Sequence, residues 1–220
     1  MIFRKSARAL LVAACLSIAA SPAIAQSSTD SFAAARNAMI SGLADDPLAR
    51  RIEPSGYDVT IVVFTDYQCP FCRQMHPRLT ALAESDPKVR IVFRDWAIFG
   101  DPSIEAARAA LAARHQNKTQ EFDAALMQIE GRLDSDKIRA AAAAAGVQWD
   151  RLTSDLARHS EEIDAVLQRT DREAGMLGIQ GTPAMFVGPY FVAGALPSDK
   201  LEYAVSLARK YPDGNAPEAN

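Results

Sequence analysis

The sequence is short of cysteine and histidine. Its 220 residues hold 3 Cys and 3 His. Cys15 falls in an N-terminal segment that reads as removable, which leaves Cys69 and Cys72 alone in the remainder. A disulfide-stapled scaffold uses several cysteines far apart in sequence, so that class is excluded. A bridge across two intervening residues also restricts the unfolded chain little, about 2 kcal/mol against more than ~4 kcal/mol for a long loop. Excess positive charge is missing too: 24 Lys and Arg stand against 27 Asp and Glu, a net charge of −3. Without Arg4, Lys5 and Arg8 the count becomes 21 against 27, a net −6. That balance gives no footprint for nucleic acid and no attraction to anionic membranes. No apolar run is long enough to span a bilayer, and no repeat of fixed period occurs.

What is present begins with an export pattern. Arg4, Lys5 and Arg8 form a positive start, and Ala9 to Ala20 is mostly apolar. Ser21-Pro22-Ala23-Ile24-Ala25 then supplies the small-x-small pattern of a cleavage site before Gln26. Residues 1–25 are therefore expected to be a signal peptide, and 220 less 25 leaves a mature chain of 195 residues. Val12-Ala13-Ala14-Cys15 also resembles a lipobox; lipidation at Cys15 would make the protein anchored rather than free.

Residues 26–57 read as an N-terminal helical arm. Phe32, Met39, Ile40 and Leu43 can share one helical face, and Pro47, Pro54 and Gly56 break it. The arm either packs on its own domain or joins two copies as a homodimer. From residue 58 the pattern changes. Val59-Thr60-Ile61-Val62-Val63-Phe64 is a β-branched apolar run, expected to be a buried strand. A helix should follow from about Pro70 to Ser85, with Met75, Leu79 and Leu82 on one face and a kink at Pro77. Val89 to Phe93 is a second strand, so residues 58–100 hold a βαβ unit with a parallel pair. Residues 101–178 look wholly helical and alanine-rich, with breaks near Asn117, Gly131, Gly146 and Gly178; they read as an inserted helical lobe. Residues 179–211 resume the sheet, with strands Ala184 to Val187 and Tyr190 to Ala193 around Gly188-Pro189, then a helix from Ser198 to Lys210. Residues 212–220 are polar and read as a disordered tail.

The chemistry sits in Cys69-Pro70-Phe71-Cys72. Directly after a buried strand and opening a helix, Cys69 stands where backbone N–H groups and the helix dipole favour negative charge. A thiol so placed loses its proton more easily, and the thiolate is the nucleophile. Cys72, one turn on, can resolve the mixed disulfide that Cys69 forms. Pro70 suits the first helical turn, and Phe71 tunes the site from within the motif. The segment Phe64-Thr65-Asp66-Tyr67-Gln68-Cys69-Pro70-Phe71-Cys72-Arg73 resembles the active-site segment of the DsbA-like thiol–disulfide oxidoreductases. Gly181-Thr182-Pro183-Ala184 resembles their cis-proline loop, and Phe93-Arg94-Asp95-Trp96 and Gly194-Ala195-Leu196-Pro197 also resemble bacterial members. The likeness spans roughly residues 57 to 210.

That resemblance implies an α/β thioredoxin fold with an inserted all-helical lobe, located in the periplasm. It implies that Thr182 and Pro183 wall the site and pair with an extended substrate segment. It implies protein substrates with cysteines, a membrane redox partner, and disulfide formation or exchange, with an isomerase or reductase as the alternative. Threonine before the cis-proline is commoner in isomerase-like members; the strong oxidase type more often has valine. In two places the chain departs from the family. An acidic residue six positions before the first cysteine helps move the resolving thiol's proton; here that place is Val63, with Asp66 and Glu84 as candidate replacements. Phe71 stands where the strong oxidase has histidine, so Cys69 should have a pKa between about 3.5 and about 7. Two rivals stand beside this reading. Cys69, Cys72 and His76 form C-x2-C-x3-H, three ligands where closed zinc sites take four; His115 and His159 lie in the helical block. A proline packed on the thiols opposes ligation, so neither a metal nor a cofactor beyond the Cys69–Cys72 disulfide is expected, and His76 is read as a solvent-facing helix residue. A non-catalytic chaperone is the other rival, and the intact C-x-x-C stands against it.

Overall fold

In the computed structural model the described residues are 34–216, Arg36 excepted. The signal segment 1–25, Cys15, Phe32 and residues 217–220 lie outside them. The centre is a five-stranded sheet in the order β1-β3-β2-β4-β5. Strands β2 (Val59–Thr65) and β3 (Val89–Asp95) run parallel, with Ile61 beside Ile91 and Val63 beside Phe93. Helices cover both faces of this pair, so its sequence is apolar nearly throughout rather than alternating.

Alternate residues of each strand serve opposite faces. Ile61, Val63, Ile91 and Phe93 pack with Met75, Leu79, Leu201 and Val205, which come from α2 (Pro70–Ser85) and α8 (Ser198–Lys210). Val62, Phe64 and Val92 pack on the other face with Ile40, Leu43, Ala174 and Ile179. The antiparallel pair β4 (Ala184–Val187) and β5 (Tyr190–Ala193) completes the sheet. Its turn needs Gly188: φ is +53°, and a Cβ there would come within 3.0 Å of the Ala208 Cβ. The helix α2 runs through Pro77 as a single element.

The N-terminal arm differs from its reading. Residues 37–44 are helical (α1), but Arg50–Ile52 then forms β1, an edge strand antiparallel to β3 with Arg51 opposite Val92. Three residues reading Arg-Arg-Ile carry no strand periodicity, which is why sequence reasoning missed it. Through α1 and β1 the described part of the arm packs on its own sheet. The alternative reading, a homodimer through the arm, is not shown.

Between β3 and β4 lie α3 (Asp101–Ala112), a 3-10 turn (Ala113–Gln116), α4 (Thr119–Met127), α5 (Ser135–Ala144), α6 (Trp149–Arg158) and α7 (Ser160–Met176). Asn117, Gly131, Gly146 and Gly178 take positive φ at the breaks between or after these helices. Ala106, Ala109 and Ala110 are buried against Phe122, Leu126 and Ile138; their small side chains let the helices approach closely. Tyr67, from the β2–α2 loop, is buried in the same cluster. Residues 212–216 hold turns and no helix or strand.

Candidate active site

Cys69 is the residue before α2, with φ −72° and ψ 118°, and Pro70 takes the first helical position. No side chain caps this end, so the first-turn N–H groups are free for the sulfur. Both cysteines are reduced and buried. The Cys69 thiol donates to the Thr182 carbonyl at 3.1 Å, and the Thr182–Pro183 peptide is cis. The β2–α2 turn and the loop before β4 therefore meet at one sulfur, bringing Cys69, Cys72, Thr182 and Pro183 together.

The two thiols are driven apart electrostatically. Cys69 is lowered from 9.0 to about 6: the Cys72 thiol donates to it, against the opposing effect of burial, and the Thr182 hydroxyl and the N–H groups of Cys72 and Phe71 add further donors. Among the described residues the buried Thr182 hydroxyl meets no acceptor other than the Cys69 sulfur. Burial raises Cys72 well above the ordinary thiol range, and the neighbouring Cys69 sulfur adds to the rise. Phe71 is 59% exposed and acts on Cys69 through its backbone N–H rather than its ring.

Arg73 supplies a cation that sequence reasoning did not weigh. Its Nε donates to the Tyr67 carbonyl at 2.7 Å and its Nη1 to Gly131 at 2.6 Å. The guanidinium stands close enough to both sulfurs for their charges to act on it. The signal was in plain view: an arginine directly after the second cysteine.

Neither candidate replacement for the acid at Val63 sits as a proton acceptor. Val63 is buried in the apolar layer under α2. The Asp66 carboxylate accepts from Gln68 N and Ser103 Oγ at 2.7 Å each, Ile98 N at 2.7 Å and Phe99 N at 3.2 Å. It is a clamp on the loop after β3, and only its backbone N–H faces the Cys72 sulfur, at 3.5 Å. Glu84 is exposed near the far end of α2. The group that does reach Cys72 is the side chain of Thr65.

His76 corrects a further expectation. It does not face solvent; its Nε2 lies 2.8 Å from Asp123 Oδ2, with the side chain 13% exposed. Asp123 also accepts from the Tyr67 hydroxyl at 2.9 Å and pairs with Arg50 at 2.5 Å. Arg50 in turn pairs with Asp95. Burial raises Asp95, against the pull of Arg50. In Asp123 the attraction of Arg50 and the hydrogen bond to His76 outweigh burial and lower it. This buried set joins β1, the end of β3, the active-site loop, α2 and the helical lobe. Sequence spacing does not betray it, because its members lie up to 73 positions apart, from Arg50 to Asp123.

Beside the motif, Pro70, Gln74, Phe99, Met127 and Ile129 line an open groove of about 740 Å³. Gln68 fixes its walls, donating to the Phe99 carbonyl at 3.2 Å and accepting from Leu133 N at 2.8 Å.

Known proteins resemble this chain in sequence and in fold. The profile of the DSBA-like thioredoxin domain matches residues 60–206. A thioredoxin-like oxidoreductase from Silicibacter pomeroyi DSS-3 is 38% identical with a TM-score of 0.72, over 76% of this chain and 96% of that one. A periplasmic thioredoxin-like protein from Salmonella enterica serovar Typhimurium is 29% identical with a TM-score of 0.70, over 79% and 97%. A Na(+)/H(+) antiporter, NhaA 3 of Salinispora tropica, is 28% identical over 175 residues, 73% of this chain. The chain spans about a quarter of the length of the curated relatives it matches, 25% and 24%.

Proposed function

The chain belongs to the family of DSBA-like thioredoxin domains, and from that premise we propose that it is a thiol–disulfide oxidoreductase that forms or exchanges disulfides in exported proteins, with Cys69 as nucleophile and Cys72 as resolving thiol. The observation that carries these roles is the opposed shift of the two thiols: Cys69 falls to about 6 while Cys72 rises. At neutral pH Cys69 is the thiolate and Cys72 holds its proton.

In the oxidising direction a substrate thiolate attacks Sγ of Cys69 in the Cys69–Cys72 disulfide, and Cys72 leaves as the thiolate and takes up a proton. A second substrate thiolate then attacks its partner sulfur in the mixed disulfide and releases Cys69. The substrate loses two electrons and the enzyme gains them. In the reducing direction Cys69 attacks a substrate disulfide, and Cys72 loses its proton and displaces the substrate. Donors aimed at Cys69 stabilise the thiolate, hence the reduced enzyme, which makes its disulfide the stronger oxidant. That supports disulfide formation over reduction. Threonine at position 182, commoner before the cis-proline in isomerase-like members, is the feature that favours the isomerase alternative.

The proposed setting is the periplasm, reached by the signal segment 1–25, with a membrane protein reoxidising the dithiol and cysteine-containing proteins as substrates. The groove beside Pro70 and Phe99 is the proposed seat for an extended substrate. No helix of the described residues is long and apolar enough to cross a membrane, and ion transport is no part of this reading. Equilibration against glutathione tests the direction. The expected potential lies between about −120 and about −270 mV; a value at or below the lower bound overturns the oxidative assignment.

A further inference from the structure

Far from the thiols in sequence, the helical lobe holds a histidine pair that thiol exchange does not use. The rings of His115 and His159 stack at 3.9 Å with an interplanar angle of 14°. His115 belongs to the 3-10 turn after α3, and His159 sits at the junction of α6 and α7. Glu162, in the first turn of α7, joins them: one ligand atom from each of the three lies within 4.8 Å of the others.

We propose that His115, His159 and Glu162 form an exchangeable binding site for a divalent cation of the zinc class, at present closed by the guanidinium of Arg114. Tetrahedral zinc with bonds of about 2.0–2.1 Å sets its ligand atoms roughly 3.4 Å apart. Turning the two imidazoles out of their near-parallel stack points their in-plane lone pairs at one ion and brings the three atoms into range, and water completes the shell. Two imidazoles with one carboxylate suit zinc or nickel and not magnesium or calcium.

Two further observations point to a cation here. The first is Arg114 itself. Its Nη2 donates to Glu162 and its Nε to Nε2 of His115 at 3.4 Å. A positive group already rests on two of the three ligands. It is imperfectly held, because its Nη1 is buried without a partner. The second is Asp155. Its carboxylate is 6% exposed, and its Oδ2 makes no hydrogen bond. The nearest counter-charge to that oxygen is Arg151 Nε, at 3.8 Å. Asp155 lies one helical turn before His159, whose backbone N–H donates to the Asp155 carbonyl at 2.9 Å. Arg114 and Arg151 are the cations resting on this cluster, and neither hydrogen-bonds the Asp155 Oδ2.

The test is calorimetric titration of Zn2+ into the full chain at pH 8, where imidazoles are neutral. Cys69 and Cys72 are first joined as the disulfide and Cys15 is blocked by alkylation, so that no thiol can bind. One saturable site in the micromolar range is expected, with no response to Mg2+. His115→Ala and His159→Ala should each weaken binding at least about tenfold, and Arg114→Ala should tighten it severalfold by removing the competitor. Circular dichroism verifies that each variant is folded; if a histidine variant is not, Glu162→Gln on the lobe surface gives the same reading. No saturable binding, or binding that persists in these ligand variants, overturns the site. An Arg114→Ala affinity no better than wild type overturns the competition. Thiol exchange is unaffected by either outcome.

Discussion

Cys69 and Cys72 lie one helical turn apart, yet their surroundings treat them oppositely. Cys69 gathers donors from Cys72, Thr182 and the first-turn N–H groups; Cys72 is desolvated and beside a sulfur that carries charge. Cys69→Ser should therefore abolish exchange, while Cys72→Ser should leave a competent nucleophile that accumulates mixed disulfides with protein substrates. Mass spectrometry under non-reducing conditions distinguishes the two. The thiolate absorbance of Cys69 should titrate with a midpoint near 6. Thr182→Val removes the one hydroxyl aimed at that sulfur, so the midpoint should rise by about one unit, and the disulfide should become less oxidising. An unchanged midpoint would show that the hydroxyl does not reach the thiolate. The meeting of Cys69 and Cys72 with Thr182 and Pro183 was legible in the two motifs. The replacement of the missing acid was not, because Asp66 is spent on four hydrogen bonds, two to the loop after β3, one to Ser103 of α3 and one within its own loop, a fact no spacing reveals.

At the scale of elements, the buried set around Asp123 decides how the lobe sits on the active-site helix. Tyr67, His76 and Arg50 converge on one carboxylate from a loop, α2 and β1. Removing one partner of a buried pair leaves the other charge without compensation. Asp123→Ala is therefore expected to cost about 3–5 kcal/mol, measured by urea unfolding. Arg50→Met should cost at least as much, because it leaves both Asp123 and Asp95 without their buried counter-charge. The long elements were legible from periodicity: β2, α2, β3 and α8 fall where their apolar patterns place them. The edge strand β1 was not, since it is short and its first residue is a buried charge. Its place comes from pairing with β3 and from the acids at the end of β3 and in α4.

Over the whole molecule the same thiol links stability to pH. In the reduced protein Cys69 has a folded pKa near 6, below its value near 9 in an unfolded chain. A depressed pKa contributes stability that is complete above the unfolded value and is lost as pH falls through the folded one. The reduced form should therefore gain on the order of 1 kcal/mol at pH 7 relative to pH 5, a rise of a few degrees in Tm. Cys69→Ser should lack this gain, and so should the disulfide form, which has no thiol to titrate. Thermal melts of the three species across pH 5–8 test it.

The sequence by itself determined the strand–motif–helix order, the place of the helical insertion, the thiol pair and the proline loop. These are carried by local signals: hydrophobic period, positive-φ breaks and a four-residue motif. Tertiary structure alone decided how the two thiols differ, because their protons respond to groups brought in from Thr65 and Thr182 as well as from the helix they share. It also turned His76 inward to Asp123, spent Asp66 on a loop, and brought His115 and His159 face to face. Each of these depends on distances between residues far apart in the chain, and on burial, which raises the cost of every unpaired charge.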